Sequence, residues 1–321
     1  MTIAPMVSRR LSDVLPDIEI AIASPIIDEI QQLKRERNAI VIAHNYMTPD
    51  IFHGAADLTG DSLALARMAA ETDADVIVMA GVHFMAETAK IVSPDKTVLI
   101  PDLRAGCSLA DSITAADVSL LRQRYPDAAV VTYVNTSAEV KAASDVTCTS
   151  GNAVAVVESL EEDRIIFLPD QYLGRWVAGQ TRKEIILWNG ACEVHERFTG
   201  TELREYRAMH PGVQIIAHPE CPPDVLAEAD FVGSTAGMID WVRTETPEKV
   251  IMVTECSMAD NVTVEAPDTE FIRPCNLCPH MKRITLENIR DSLLHLQFEV
   301  TVAPEVAERA RMAVERMLAI R

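Results

Sequence analysis

Three kinds of residue recur along the 321-residue chain at nearly one spacing, and this recurrence constrains the fold more than any other feature. Polar residues that close an apolar stretch stand at His44, Tyr133 and His218, 89 and 85 positions apart. Serines at the head of a helical segment stand at Ser62, Ser150 and Ser234, 88 and 84 apart. Cysteines beyond the next apolar stretch stand at Cys107, Cys192 and Cys278, 85 and 86 apart. A fixed period marks one supersecondary unit used several times. Three concurrent series imply three similar modules of roughly 85 residues, each small for an independent core.

Short runs rich in β-branched residues alternate with segments of helical period, the pattern of a parallel sheet covered by helices. Strands are predicted at 39–43, 76–80, 98–100, 129–134, 165–168, 185–188, 213–217, 231–232 and 250–253. Helices are predicted between them, for example at 62–71, 153–160 and 238–243, with flanking helices before Ser24 and from Pro304, a residue suited to a first helical turn. The fold class is therefore α/β, with three parallel-sheet modules related by a pseudo-threefold axis. Their expected boundaries are 1–107 with the C-terminal segment 285–321 joined to it, 108–192, and 193–284. Ligands of parallel sheets sit beyond the carboxyl ends of the strands, where all the anchor residues fall, so the site is expected to be central and shared.

Seven cysteines are an odd number in a chain too long to need disulfide staples. One cysteine from the same place in each module gives three convergent thiolates. That number suits a 4Fe-4S cluster with one iron open to substrate better than structural zinc, which is closed by four protein ligands. The plainer reading of the three is small buried residues near module boundaries. Cys275 and Cys278 form a Cys-x-x-Cys pair that could be a redox disulfide or half of a zinc site, and there is no second such pair to complete the zinc. Cys148, in DVTCTS, reads as core; Cys221 and Cys256, after strand ends, read as structural.

The segments IVIAHNY, VVTYVNTS and QIIAHPEC each deliver polar side chains just past an apolar strand. Tyr46 and Glu220, each two residues beyond its histidine, are of a type suited to proton transfer. The three serines are natural N-caps, and helix N-termini aimed into one cavity would attract carboxylates and phosphate. The chain carries 48 acidic and 29 basic side chains, a net charge of −19, which repels nucleic acid and anionic membranes over the whole surface but leaves room for small anions at a donor-lined site. Arg9 and Arg10 are followed by no apolar stretch, and no uninterrupted apolar run reaches 18 residues. The expectation is a soluble, cytoplasmic protein with neither nucleic acid nor membrane as partner.

The blocks AHNYMTPDIFHGAADLTGDSLALAR, GVHFMAETAKIVSP, PDLRAGCSLADSI, YVNTSAEVKAASDVTCTSGNA, FLPDQYLGR, WNGACEVHERF, AHPEC, GSTAGM and CPHMKRITLENI together resemble the quinolinate synthase (quinolinate synthetase A) family, from about residue 25 to 300. The resemblance implies three α/β/α sandwich modules around a central 4Fe-4S cluster. It implies condensation of iminoaspartate with dihydroxyacetone phosphate to quinolinate, phosphate and water for de novo NAD synthesis. Carried over by motif, the cluster ligands are Cys107 of AGC, Cys192 of GAC and Cys278 of CPHM. The substrate site takes His44 and Tyr46 from HNY, Ser62 from GDS, Tyr133 and Asn135 from YVN, Ser150 from TSGN, His195 from CEVH, His218 and Glu220 from HPE, and Ser234 with Thr235 from GST. Among these, Tyr46, Tyr133, His218 and Glu220 are the expected catalytic groups: Glu220, supported by His218, as base and Tyr46 in enolisation of the triose. Ser150, with a helix terminus behind it, is expected at the phosphate. Some relatives carry a further cysteine three residues before Cys275, where Ile272 stands here, which argues against redox control through Cys275. Other readings are an aconitase-type hydro-lyase and a non-enzymatic iron–sulfur sensor. Iminoaspartate could arrive by diffusion or through transient contact with an aspartate-oxidising enzyme.

Overall fold

A computed structural model describes residues 10–320. Twelve strands form three four-stranded parallel sheets among them. The first holds β1 (Ala39–His44), β2 (Leu58–Gly60), β3 (Val76–Ala80) and β4 (Thr97–Leu99). The second holds β5 (Ala129–Tyr133), β6 (Val146–Cys148), β7 (Arg164–Leu168) and β8 (Glu184–Leu187). The third holds β9 (Gln214–Ala217), β10 (Phe231–Val232), β11 (Lys249–Val253) and β12 (Glu270–Ile272). The spatial orders β2-β1-β3-β4, β6-β5-β7-β8 and β10-β9-β11-β12 are the same arrangement repeated. Helices flank each sheet, and β3 and β5 are buried at every position, as a sheet covered on both faces requires. The α/β class and the threefold repetition are as the spacing implies. All nine predicted strands are present. Three short strands escaped prediction, β2, β6 and β12, one per module.

A second series of side chains, absent from the repeats read above, fixes the register. Asp57, Asp145 and Asp230 stand just before β2, β6 and β10. Their carboxylates accept from the backbone N–H of Val41 (2.8 Å), Val130 (2.7 Å) and Ile215 (2.7 Å) on the neighbouring strand. Their own N–H groups donate back to the carbonyls of the same three residues, at 2.9, 3.0 and 2.7 Å. Each carboxylate also meets a cation from the helix before its sheet: Lys34 at 2.7 Å, Arg122 at 2.9 Å and Arg207 at 3.1 Å. These two-point clamps tie each first strand to its edge neighbour.

The cysteine loops are fixed by a third series. Thr114, Thr199 and Thr285, each seven residues past its cysteine, head the helices Ala115–Arg124, Gly200–Met209 and Leu286–His295 through capping boxes with Asp117, Glu202 and Asn288. The expected N-terminal flanking helix runs Asp17–Arg37; the part of that expectation falling on residues 1–9 lies outside the described residues. The C-terminal helix Pro304–Ala319 begins at its proline and packs on β6 and the helix Ala138–Ala142 of the second module and on the helix His83–Val92 of the first. The helix Leu286–His295 packs on Asp17–Arg37. The largest hydrophobic core accordingly runs through the first and second modules and these closing helices, while the third sheet has a separate cluster on each face. No helix among the described residues is long and apolar enough to cross a membrane.

Asp145→Ala should leave the Val130 N–H without its acceptor and cost roughly 1–3 kcal/mol, the usual penalty for an unpaired buried donor. The Arg122 pair, half open to water, adds little. A urea midpoint equal to wild type would show that the clamp does not stabilise the sheet.

Candidate active site

The carboxyl ends of the three sheets open onto one cavity with about 710 Å³ of empty volume. Thirteen of the fourteen residues assigned from sequence line it: His44, Tyr46, Ser62, Cys107, Tyr133, Asn135, Ser150, Cys192, His195, His218, Glu220, Thr235 and Cys278. Ser234 is the exception. It is the N-cap of the helix Thr235–Glu245 and accepts from the Gly237 N–H at 3.2 Å, so Thr235 takes the lining place. In the register set by the aspartate clamps, Ser62, Ser150 and Thr235 are the equivalent positions, 88 and 85 residues apart, and Ser234 corresponds to Asp61 and Thr149. Asp61 and Thr149, both in the lining, were therefore legible from an aspartate series that the serine series concealed. Glu193, Glu255 and His280 also line the cavity and were not foreseen.

The helix termini differ from expectation. Asp61, not Ser62, caps the helix Ser62–Glu71 by accepting from the Ala64 N–H at 2.9 Å. Ser150 heads no helix: the next one is the six-residue Ala153–Glu158, whose Asn152 cap makes no side-chain bond to it. The reason is the turn 149–152, in which the Asn152 Oδ1 instead accepts from the Thr149 N–H at 2.8 Å. The Ser150 hydroxyl lies 3.1 Å from His218 Nε2. One terminus of neutral cap, that of Thr235–Glu245, remains available to an anion.

Glu220 is the centre of the polar network and is almost fully buried. Its Oε2 lies 2.8 Å from His195 Nδ1, and its Oε1 accepts from the Tyr133 hydroxyl at 2.6 Å. His218 Nδ1 is 4.0 Å away and is itself engaged by the Glu220 backbone N–H. The nearest support for Glu220 is thus His195 with Tyr133, and not His218 as expected, because the short turn after β9 folds the His218 ring back onto its own backbone. Tyr46 N donates to His44 Nδ1 in the same way at 3.2 Å, a second copy of this turn after β1. Burial opposes the Glu220 charge, yet the neighbouring imidazoles and the two hydrogen bonds hold its carboxyl below the usual range. Burial pushes His44 and His218 down to about 3 against the attraction of Glu220, so both are neutral acceptors and donors at neutral pH. With His218 neutral, His195 and Tyr133 are the groups that keep Glu220 ionised. Tyr46 and Tyr133 are raised well above 10, first by burial and then by the Glu220 charge, and stay protonated.

Each cavity cysteine starts a helical turn. The carbonyls of Cys107, Cys192 and Cys278 accept from Asp111, Glu196 and Lys282 at 3.0, 3.0 and 3.1 Å. The backbone N–H groups two and three residues on favour ionisation of each Sγ: Leu109 and Ala110, Val194 and His195, His280 and Met281. Burial nevertheless raises all three thiols, Cys107 to about 12, and Cys107 is raised further by Cys278, and Cys192 by Cys107. Three thiols, one from each module, line one cavity and are kept from ionising first by burial, and together they could hold a metal centre. His195 Nδ1 is 3.2 Å from Cys192 Sγ, and donor atoms of Cys192, His195 and Glu220 all lie within 4.8 Å of one another.

The remaining cysteines are two thiols and one bridge. Cys148 and Cys221 are buried and free. Cys256 and Cys275, expected as thiols, are joined in a disulfide with Cα atoms 4.9 Å apart. The Cys-x-x-Cys pair therefore does not close on itself. The backbone pairing of Glu255 with Asn276 brings Cys256 beside Cys275 and leaves Cys278 to the cavity.

With this geometry in hand, comparison with known proteins is direct. The family model for quinolinate synthetase A protein matches residues 28–319. Quinolinate synthase 2 of Mesorhizobium japonicum is 65% identical over 311 residues, 97% of this chain and 96% of that protein. Quinolinate synthase of Agrobacterium fabrum is 62% identical over 311 residues, 97% of this chain and 90% of that protein. Quinolinate synthase of Xylella fastidiosa is 63% identical over 294 residues, 92% of this chain and 87% of that protein.

The buried histidines give the fold an acid-labile component. Their folded pKa of about 3 lies below the 6.5 of an ordinary imidazole, so between those values the unfolded chain binds more protons. Their contribution is complete above pH 6.5 and falls as the pH drops toward 3, by up to about 1.4 kcal/mol per pH unit for each histidine. Urea midpoints between pH 7 and 5 should thus fall less steeply for His44→Asn than for wild type, and equal slopes would show that His44 is not held neutral.

Proposed function

The chain belongs to the quinolinate synthetase A family and is an enzyme of the quinolinate synthase kind, and on that premise we propose that it condenses iminoaspartate with dihydroxyacetone phosphate. The products are quinolinate, one phosphate and two waters, formed in the cytoplasm for de novo NAD synthesis; iminoaspartate would come from an aspartate-oxidising enzyme by transient contact or diffusion. The equation balances without an oxidant or reductant, so the site needs acid–base groups and an electrophile rather than a redox carrier. The observation that carries the reading is the arrival of one cysteine from each module at a single cavity lined by ionisable groups.

Cys107, Cys192 and Cys278 would hold a 4Fe-4S cluster, their preset N–H donors easing the thiolate charge. When bound, such a cluster with one iron free of protein ligands supplies a Lewis acid for a substrate oxygen. The chain's own groups supply the rest. Glu220 is ionised at neutral pH and free to take a proton from carbon, but a carboxylate held below its usual range is a weak base. Its bonds from Tyr133 and His195 must loosen as it acts, and substrate hydroxyls competing for those donors would do this. The hydroxyl of Tyr46, which lines the cavity, would serve the enolisation that precedes loss of phosphate. The terminus of Thr235–Glu245, with Thr235 and neutral His44, suits a substrate carboxylate, whereas the terminus at Ser62 already holds the Asp61 carboxylate. Asn135, whose Oδ1 is buried without a partner, and Ser150 add donors and acceptors for the phosphate end.

Anaerobic incubation of the iron- and sulfide-loaded protein with both substrates should yield quinolinate and consume one triose phosphate per product. Glu220→Gln should keep the cluster's absorption and lose at least about a hundredfold in kcat. Cys107→Ser should lose iron and activity together. Quinolinate absent from the wild-type reaction would overturn this reading; turnover of a hydroxy acid with no triose phosphate consumed would favour a hydro-lyase, and no turnover with an intact cluster a non-enzymatic sensor.

A further inference from the structure

Thr254 has no assigned part in the site, yet its hydroxyl joins two of the groups just described. It is the first residue beyond β11, is 1% exposed, and lies behind the cavity wall. Its Oγ1 is 2.5 Å from the Tyr46 hydroxyl and 3.0 Å from His195 Nε2. Tyr46 comes from the first module, His195 from the loop that follows Cys192, and Thr254 from the third module, so one buried hydroxyl fastens three distant segments at the axis.

We propose that Thr254 is the positioning residue that sets the Tyr46 hydroxyl and the His195 ring for catalysis. A hydroxyl has one proton to donate and lone pairs to accept with. Thr254 can therefore serve both partners at once, and it joins the Tyr46 hydroxyl to the ring whose Nδ1 faces Glu220 Oε2. Tyr133 donates to Glu220 from the other side. The main chain at Tyr46 is pinned independently, because its carbonyl accepts from Lys282 Nζ at 2.8 Å and Lys282 is itself paired with Glu255 at 3.0 Å. The freedom left to Tyr46 is therefore the placement of its hydroxyl, which Thr254 removes.

This inference rests on the quinolinate synthase reading for its kinetic test. Thr254→Val keeps the shape and deletes the hydroxyl; Thr254→Ser keeps the hydroxyl and deletes a methyl. The Val variant should lose at least about tenfold in kcat with KM for either substrate within about threefold, and the Ser variant should stay within about threefold of wild type in both. Because Thr254 acts partly through Tyr46, Thr254→Val should lower kcat less in a Tyr46→Phe background than in wild type. Wild-type kcat in the Val variant, Val and Ser equally impaired, or fully multiplicative losses in the double variant would each overturn the proposal. Should the Val variant fail to fold, Thr254→Ala against Thr254→Ser is the same comparison, and an Ala kcat within about threefold of Ser overturns it. Failure of the wild type to make quinolinate overturns the function instead. In that case crystal structures still decide, since the Tyr46 hydroxyl should leave its place in the Val variant and keep it in the Ser variant, and an unmoved hydroxyl in the Val variant refutes the role of Thr254.

Discussion

A parallel sheet delivers its strand-end side chains to one place only while its register holds, and each module holds its register with a single reciprocal contact. Asp57 with Val41, Asp145 with Val130 and Asp230 with Ile215 exchange backbone and carboxylate bonds at the same point of each sheet. A slip of one residue would turn His44, Tyr133 and His218 to the opposite face. All three interact with Glu220. The capping boxes at Thr114, Thr199 and Thr285 do for the cysteine loops what the aspartates do for the strands. Geometry at the axis is thus set by contacts at its periphery, some of them half open to water.

The axis carries electrostatic costs that the net charge of −19 would only worsen if the whole molecule mattered equally. It does not, because the ionisable groups at the axis are largely buried and answer to their nearest donors. Glu220 stays ionised there through two short bonds, while His44 and His218 give up their protons to burial. The three thiols are the unbalanced part. Each has the backbone donors that a thiolate wants, and each is still driven toward its neutral form by burial and by its neighbours. A bound cationic centre relieves that conflict, which is the physical reason to read the cysteines as ligands rather than as packing.

The repeats made most of this legible before any coordinates. Anchors 84 to 89 residues apart gave the number of modules and the central site, and eight of the nine anchors line it. What escaped was of two kinds. Ser234 was aligned with Ser62 and Ser150 because identical letters are easier to match than equivalent positions; the aspartates five residues upstream of Ser62, Ser150 and Thr235 carry the true register. The other kind has no local signal. The Cys256–Cys275 bridge follows from a backbone pairing between Glu255 and Asn276, and the contacts of Thr254 reach Tyr46 in the first module and His195 in the loop after Cys192. A resemblance transfers residues motif by motif, and a residue whose partners lie 208 and 59 positions away belongs to no motif.

That distribution has a consequence for how the site can be built at all. Glu220 belongs to the third module, its donor Tyr133 to the second, and Tyr46 to the first, so no module holds the whole acid–base set alone. Nor does any module hold more than one cavity cysteine. The C-terminal helix, packed on both the first and second modules, and the pairing of Leu286–His295 with Asp17–Arg37 therefore act on chemistry they never touch: they keep apart or together the surfaces that bring Tyr46 and Tyr133 to Glu220. Three small sheets gain by this arrangement a buried core that none could supply singly. The same arrangement makes the integrity of the assembly a condition of the site, since loosening any one module from the axis would admit water to Glu220 and remove one of the three thiols at once.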